Sequence, residues 1–175
     1  MDFYARVFEL IDMRSFSNLW YWIMLAVVWS TASHWVIGVP FDMVARARRH
    51  GGQAAHDVEA MVAINVGRLT YIADTAGLWL MALGTFLLAG LATMGFGYSV
   101  EFCQALFLIA APMSLVGLLS IRFARRLQRE TPEGDLLYAL LRRHRLVTQV
   151  IGMFSIFVTA FWGMWHNMAT SILGG

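Results

Sequence analysis

Two ionisable residues, His34 and Asp74, fall inside apolar segments of the sequence, where a charged side chain is costly. A histidine beside a carboxylate can titrate near neutral pH and pass a proton, which suggests a proton or ion relay. The same two side chains could instead hydrogen-bond to each other and hold two helices in register. Both interpretations require that His34 and Asp74 meet.

Other residue types with chemical potential are scattered. Cys103 is the single cysteine, so neither an intrachain disulfide nor a cysteine-rich metal site is expected. A haem would need axial ligands on facing helices at a shared depth, and the five histidines are not spaced in that way. No nucleophile elbow, phosphate-binding glycine loop or HExxH motif is present in the sequence. We therefore expect a protein that is not an enzyme, with no cofactor and no metal site.

The elements that position these residues are membrane spans. The chain has 175 residues, of which 59% are hydrophobic and 14% charged, and its mean hydropathy is +0.61. About 20 apolar residues cross the ~30 Å hydrocarbon core of a bilayer. Four segments meet that length, and they predict an all-α fold of one membrane domain over residues 1–175, an integral four-helix bundle with spans at about 19–39, 69–94, 102–121 and 146–166.

The arginines predict the orientation of the bundle. All 13 basic residues are arginine, and 11 of them lie between Pro40 and Arg68 or between Arg122 and Arg145. Loops rich in basic residues remain in the cytoplasm. We therefore expect a multi-pass protein of a bacterial inner membrane, with both basic loops cytoplasmic and both termini periplasmic.

The segments outside the spans are predicted to be helical. Residues 1–18 place Tyr4, Val7, Phe8 and Ile11 on one helical face. This pattern predicts an amphipathic helix that lies in the interface on the periplasmic side of the inner membrane. The segment 41–50 is predicted to be a short basic helix that stops at two glycines. We expect the second span to extend into the cytoplasm, and a helix to precede the fourth.

Depth arguments group the polar residues into two sets. At ~1.5 Å of rise per residue, His34 and Asp74 both lie about 7–8 Å inside the inner interface, so they can meet. Ser114 and Thr148, among other polar residues, have a similar depth. A second and shallower set at the outer side is predicted to contain Glu101, Gln104, His166 and Asn167.

The basic loops allow two interpretations. Their arginines can contact anionic lipid headgroups, or they can simply set the topology. The candidates for lipid contacts are Arg46, Arg48, Arg49, Arg142, Arg143 and Arg145. A shift of 77 residues aligns Ala47-Arg48-Arg49 with Ala124-Arg125-Arg126, so an internal repeat is also open.

Several stretches together resemble a known family: MDFYARVFELIDMRSFSNLWYWIMLAVVWSTASHW, GVPFDMVARARR, PMSLVGLLS and TAFWGMW. They are similar to small four-span inner-membrane proteins of purple and related alphaproteobacteria, some of which are labelled as a component of the Suf iron-sulfur assembly complex. The resemblance covers nearly the whole chain and includes no catalytic motif, so it assigns no functional residue.

Two functions are compatible with these patterns. The first is a non-catalytic accessory, assembly or scaffold subunit that associates with other subunits of a larger, energy-transducing inner-membrane complex. The alternative is a small oligomeric proton- or ion-coupled transporter or channel that uses His34 and Asp74. No nucleic-acid partner is expected, because the basic residues flank membrane spans.

Overall fold

A computed structural model describes residues 15–172, with side chains up to residue 168, and its elements are almost all helical. The predicted interfacial helix at 1–18 therefore lies mostly outside the described residues. A 3₁₀ turn comes first, and a short hairpin and five helices follow. In chain order these are the turn Ser15–Ser17, α1 (Leu19–His34), β1 (Trp35–Val36), β2 (Val39–Pro40), α2 (Phe41–His50), α3 (Gly52–Ala92), α4 (Glu101–Glu130) and α5 (Gly134–Ile172).

Among the described residues, three helices are long and apolar enough to cross a membrane: α3 with the π-helical turn Thr93–Gly97 that continues it, α4 and α5. They contain the predicted spans 69–94, 102–121 and 146–166. The 41 residues of α3 extend for about 60 Å, twice the thickness of the hydrocarbon core. The predicted all-α fold is therefore confirmed, with three helices that could span a membrane, and α3 has a long extension beyond its apolar part.

The first predicted span, 19–39, differs from the helix observed there. Asn18 caps α1 by accepting a hydrogen bond from the Trp20 backbone N–H, but the helix ends at His34 after 16 residues. That length is about 24 Å, less than the thickness of the hydrocarbon core. The four-span bundle therefore remains a prediction.

A tight hairpin ends α1. Val36 pairs with Val39 across a two-residue turn, and the turn residues Ile37 and Gly38 have φ of 47° and 79°. Two successive positive φ angles are typical of hairpin turns that follow the strand twist, although a β-branched residue rarely adopts one. Ile37 is only 7% exposed, so its burial offsets the backbone strain.

The basic segments pack against each other and form a compact apolar core, which we call the basic-side core. It contains the hairpin, α2, the first part of α3, the end of α4 and the start of α5. Val39, Val58, Ala124 and Leu141 are fully buried there. The loops are therefore helical as predicted, and they bury their apolar faces against one another.

A second and smaller core lies among the apolar helices. Leu25 and Trp29 of α1 pack against Ile109 and Val116 of α4. Gly152 of α5 lies so close to the Trp29 ring that a Cβ atom there would be 2.7 Å from Trp29 Cε3. Close approach of this kind is the usual role of glycine between membrane helices.

Candidate functional site

The start of α4 and the end of α5 form a cluster of polar side chains, which we call the terminal polar cluster. Glu101 Oε1 accepts a hydrogen bond from the Phe16 backbone N–H at 2.7 Å, and its Oε2 lies 3.3 Å from His166 Nε2. The side chains of Glu101 and His166 are 12% and 20% exposed. The carboxylate therefore joins the 3₁₀ turn to two long helices.

Gln104 completes the terminal polar cluster one turn along α4. Its Oε1 accepts from Trp162 Nε1 at 3.0 Å, and its Nε2 donates to the Gly95 carbonyl at 2.8 Å. Ser17 and Asn167 form a further hydrogen bond at 3.1 Å. The structure therefore brings Glu101 and His166 together as predicted, whereas Gln104 and Asn167 bond to other residues near the same helix ends. These contacts indicate a role in holding the helix ends.

His34 and Asp74 are not brought together by the structure. His34 Nε2 lies 3.7 Å from Asp42 Oδ1, and Asp74 Oδ1 accepts from Arg125 Nη2 at 2.8 Å. No hydrogen bond or ion pair joins His34 to Asp74 within the described part of the chain. The predicted pair does not form because α1 packs against α4 and α5, whereas Asp74 of α3 faces Arg125 of α4.

The polar residues expected to surround that pair also satisfy themselves locally. Thr148 Oγ1 donates to the His144 carbonyl, and Ser114 Oγ donates to the Ala110 carbonyl. Both are bonds to the preceding turn of the same helix, a common arrangement for hydroxyls in membrane helices.

Six arginines were considered for lipid contacts. Two of them contact other residues of the protein, and a third is exposed away from the rest. Arg46 lies 3.8 Å from Asp42, and Arg143 is exposed. Arg145 Nε donates to the Ser33 carbonyl at 3.0 Å, and its guanidinium lies 4.1 Å from the centre of the Phe41 ring. Arg145 therefore fastens the end of α1 to α5 and α2.

The other three arginines, Arg48, Arg49 and Arg142, line one cavity of about 500 Å³ between α2 and the start of α5, which we call the arginine cavity. Asp135 and Tyr138 also line it. Sequence patterns missed Asp135 and Tyr138 here. Their spacing from Arg142 on one helix was visible, but the position of α2 beside them was not.

An apolar groove runs between α3 and α4, and we call it the α3–α4 groove. Its volume is about 290 Å³. Gly77, Gly84 and Gly117 are among its lining residues, and a Cβ atom added at any of them would meet nothing within 4 Å. The groove is therefore open along helices that are apolar enough to lie in a membrane.

No set of three or more His, Cys, Asp or Glu side chains placed to hold a metal ion occurs among the residues that the structure describes. Comparisons of the chain with protein-family models, with curated proteins and with solved structures find no match. Function therefore has to be inferred from the geometry of the helices and cavities.

Proposed function

We propose that this protein is a non-catalytic accessory, assembly or scaffold subunit, which binds a larger, energy-transducing complex of the bacterial inner membrane through α3. The observation that carries this proposal is the exposure of α3. None of its most apolar 18-residue stretch is buried within the chain, whereas 28% of the corresponding stretches of α4 and α5 is buried. Apart from the half-buried face that lines the α3–α4 groove, such a span offers its surface to lipid or to another subunit.

The α3–α4 groove favours a protein partner over lipid alone. Membrane helices associate mainly through close packing, and small residues allow their backbones to approach. Gly77 and Gly84 supply such positions on α3, seven residues apart and therefore on similar faces of the helix. Large apolar side chains, including Leu80, Met81 and Leu88, form the walls of the groove.

An ion pair beside the groove supports the same proposal. Asp74 and Arg125 bridge α3 and α4, and their side chains are 67% and 48% exposed. Asp74 follows Ile72 and Ala73, which line the groove. Charged groups at the edge of an apolar membrane surface are costly unless water, headgroups or a partner solvates them. A partner helix in the groove would have polar groups available at this end.

The proposed topology places both termini in the periplasm and the basic-side core in the cytoplasm. Contacts of α1 support the fourth crossing that this topology requires. Ser17 hydrogen-bonds to Asn167 and Ser33 to Arg145, so α1 and its flanking residues run beside about 33 Å of α5 at the usual helical rise. That distance is close to the ~30 Å hydrocarbon core, which supports a fourth crossing in which residues outside the helix contribute.

The transporter alternative depends on a single pathway that contains His34 and Asp74. Their separate ion pairs, with Asp42 and Arg125, supply no such pathway. No observation favours this alternative specifically.

Site-specific photocrosslinking tests the proposed role of α3. A photoreactive residue replaces Leu78 or Phe86 of α3, which are 81% and 73% exposed, or the control residue Phe157 of α5, which is 68% exposed. We expect positions 78 and 86 to crosslink to one other membrane subunit in native membranes, and position 157 to do so much less. Equal crosslinking from all three positions, or crosslinking from none, would contradict the proposal.

A further inference from the structure

Three positively charged side chains line the arginine cavity. Arg48 and Arg49 belong to the end of α2, and Arg142 belongs to α5. All three residues are exposed, and none of their guanidinium groups forms an ion pair with another residue between 15 and 168. Arg46, by contrast, already has Asp42. The cavity therefore holds cationic groups whose hydrogen-bonding capacity is available to a ligand.

Tyr138 provides an independent indication of a ligand. It lines the arginine cavity and is 7% exposed. Its hydroxyl is buried and has no hydrogen-bond partner within the described part of the chain. A buried hydroxyl without a partner costs free energy. Because the hydroxyl has almost no accessible surface, the side chain must turn towards the cavity before an acceptor oxygen of a bound molecule can satisfy it.

The remaining walls define the chemical class of that molecule. Phe41, Val44, Ala45 and Ala139 supply apolar surface, and Asp135 contributes the one acidic side chain. Three guanidinium groups and one carboxylate leave the lining with an excess of two positive charges. Arginine binds phosphate oxygens through paired N–H groups, and a volume of about 500 Å³ is within the usual range for small-molecule sites.

The position of the cavity is compatible with the membrane surface. Arg142 lies four residues before the predicted fourth span at 146, about 6 Å along the helix. Basic pockets at the cytoplasmic ends of membrane helices are a typical site for anionic lipid headgroups. A soluble phosphate ester would present the same oxygens to the same arginines.

We propose that the arginine cavity binds a phosphate-bearing anion, held by Arg48, Arg49 and Arg142 with the Tyr138 hydroxyl donating to a phosphate oxygen. The site is separate from the α3–α4 groove, and it stands whether or not α3 binds a partner.

The test uses the full-length protein in nanodiscs of neutral phosphatidylcholine, with and without phosphatidylglycerol. Native mass spectrometry counts the retained anionic lipid, and thermal unfolding measures the accompanying stabilisation. A second arm adds inorganic phosphate or glycerol phosphate to the neutral nanodiscs, against chloride at the same ionic strength. Binding in the first arm identifies a phospholipid, and binding only in the second identifies a soluble phosphate.

Neighbouring arginines provide a matched control. Arg142→Gln and Arg143→Gln each remove one charge from an exposed position on α5, but only Arg142 lines the cavity. We expect Arg142→Gln to weaken binding about tenfold or more, the effect of losing a charge-assisted hydrogen bond, and Arg143→Gln to weaken it about twofold at most. Equal effects of the two substitutions would overturn the proposal, as would an absence of binding in both arms.

Tyr138→Phe gives a second and independent readout. Removal of an unpartnered hydroxyl should leave the unliganded protein as stable as before or more stable. The same substitution should weaken anion binding about tenfold or more, because it removes a hydrogen bond to a charged acceptor. Unchanged affinity in Tyr138→Phe would show that the hydroxyl does not face the ligand and would refute the assigned geometry.

Discussion

Removal of the Glu101 carboxylate should destabilise the protein strongly, because this side chain joins three segments. Its oxygens lie 2.7 Å from the Phe16 backbone nitrogen and 3.3 Å from His166 Nε2. A hydrogen bond to a charged group contributes about 1.5–3 kcal/mol, and a buried N–H left without a partner costs about 1–3 kcal/mol. Since Phe16 is only 2% exposed, we expect Glu101→Ala to cost about 3 kcal/mol in total.

Two further variants separate this effect from a general loss of charge. Glu101→Gln keeps an oxygen for the Phe16 N–H, so it should cost about 1 kcal/mol. Glu130→Ala removes the carboxylate of an exposed ion pair with Arg126, in which the side chains are 48% and 51% exposed. Exposed pairs four residues apart on a helix contribute about 0.3–0.5 kcal/mol, so Glu130→Ala is the matched control.

The assay is thermal unfolding of the purified protein in one detergent, followed by circular dichroism. In a chain of this size 1 kcal/mol shifts Tm by about 2–4 °C. Glu101→Ala should therefore lower Tm by about 6–12 °C, and Glu130→Ala by about 2 °C at most. Equal shifts for these two variants would refute the role assigned to the terminal polar cluster. A Glu101→Gln shift as large as that of Glu101→Ala would refute the hydrogen bond to Phe16 as its main component.

Two other substitutions test the packing of the helices by the same unfolding assay. Gly152→Ala places a methyl group 2.7 Å from the Trp29 ring and should cost about 1–3 kcal/mol. The control Gly90→Ala meets no atom within 4 Å and should be neutral or stabilising by up to about 1 kcal/mol. Destabilisation of the same size at both positions would contradict this packing. Arg145→Ala removes the hydrogen bond to the Ser33 carbonyl and the contact with the Phe41 ring, and should cost about 2–3 kcal/mol. The control Arg143→Ala should change stability by about 0.5 kcal/mol or less. Similar costs for the two substitutions would show that Arg145 does not fasten α1.

Much of the architecture could be predicted because membrane helices leave a strong signal in a single sequence. Apolar runs of sufficient length identified the regions of α3, α4 and α5, since backbone groups in lipid must be satisfied within a helix. Local chemistry predicted the short helix α2, which ends before Gly51 and Gly52.

The end of α1 could not be predicted in the same way. The stretch from Trp35 to Val39 is apolar and continues the hydropathy of the helix before it. Gly38 and Pro40 were the available signals of a turn, but the hairpin also needs Ile37 at a positive φ. A β-branched residue adopts that conformation only where tertiary packing compensates for it, and the buried environment of Ile37 arises from segments distant in the sequence.

The candidate sites also differ in how far local sequence patterns could predict them. Depth along two helices was enough to group Glu101 with His166. Both residues lie near the ends of their predicted spans, so little error accumulates in their depth. The predicted contact of His34 with Asp74 depended on α1 lying beside α3. In the structure α1 packs against α4 and α5, and Asp74 faces Arg125 of α4. The arginine cavity depended on contacts between α2 and α5 that no local pattern specifies.

The stoichiometry of the native assembly tests whether α3 binds a different membrane subunit, as we propose. The chain should be purified from its native membranes in mild detergent, and the intact assembly weighed by native mass spectrometry. We predict one copy or a fixed number of copies bound to other membrane subunits in a constant ratio, with that ratio lost when Gly77 and Gly84 of α3 are both replaced by leucine. A mass equal to the chain alone or to its homo-oligomer, together with proton flux in liposomes, would contradict the proposal that α3 binds another membrane subunit.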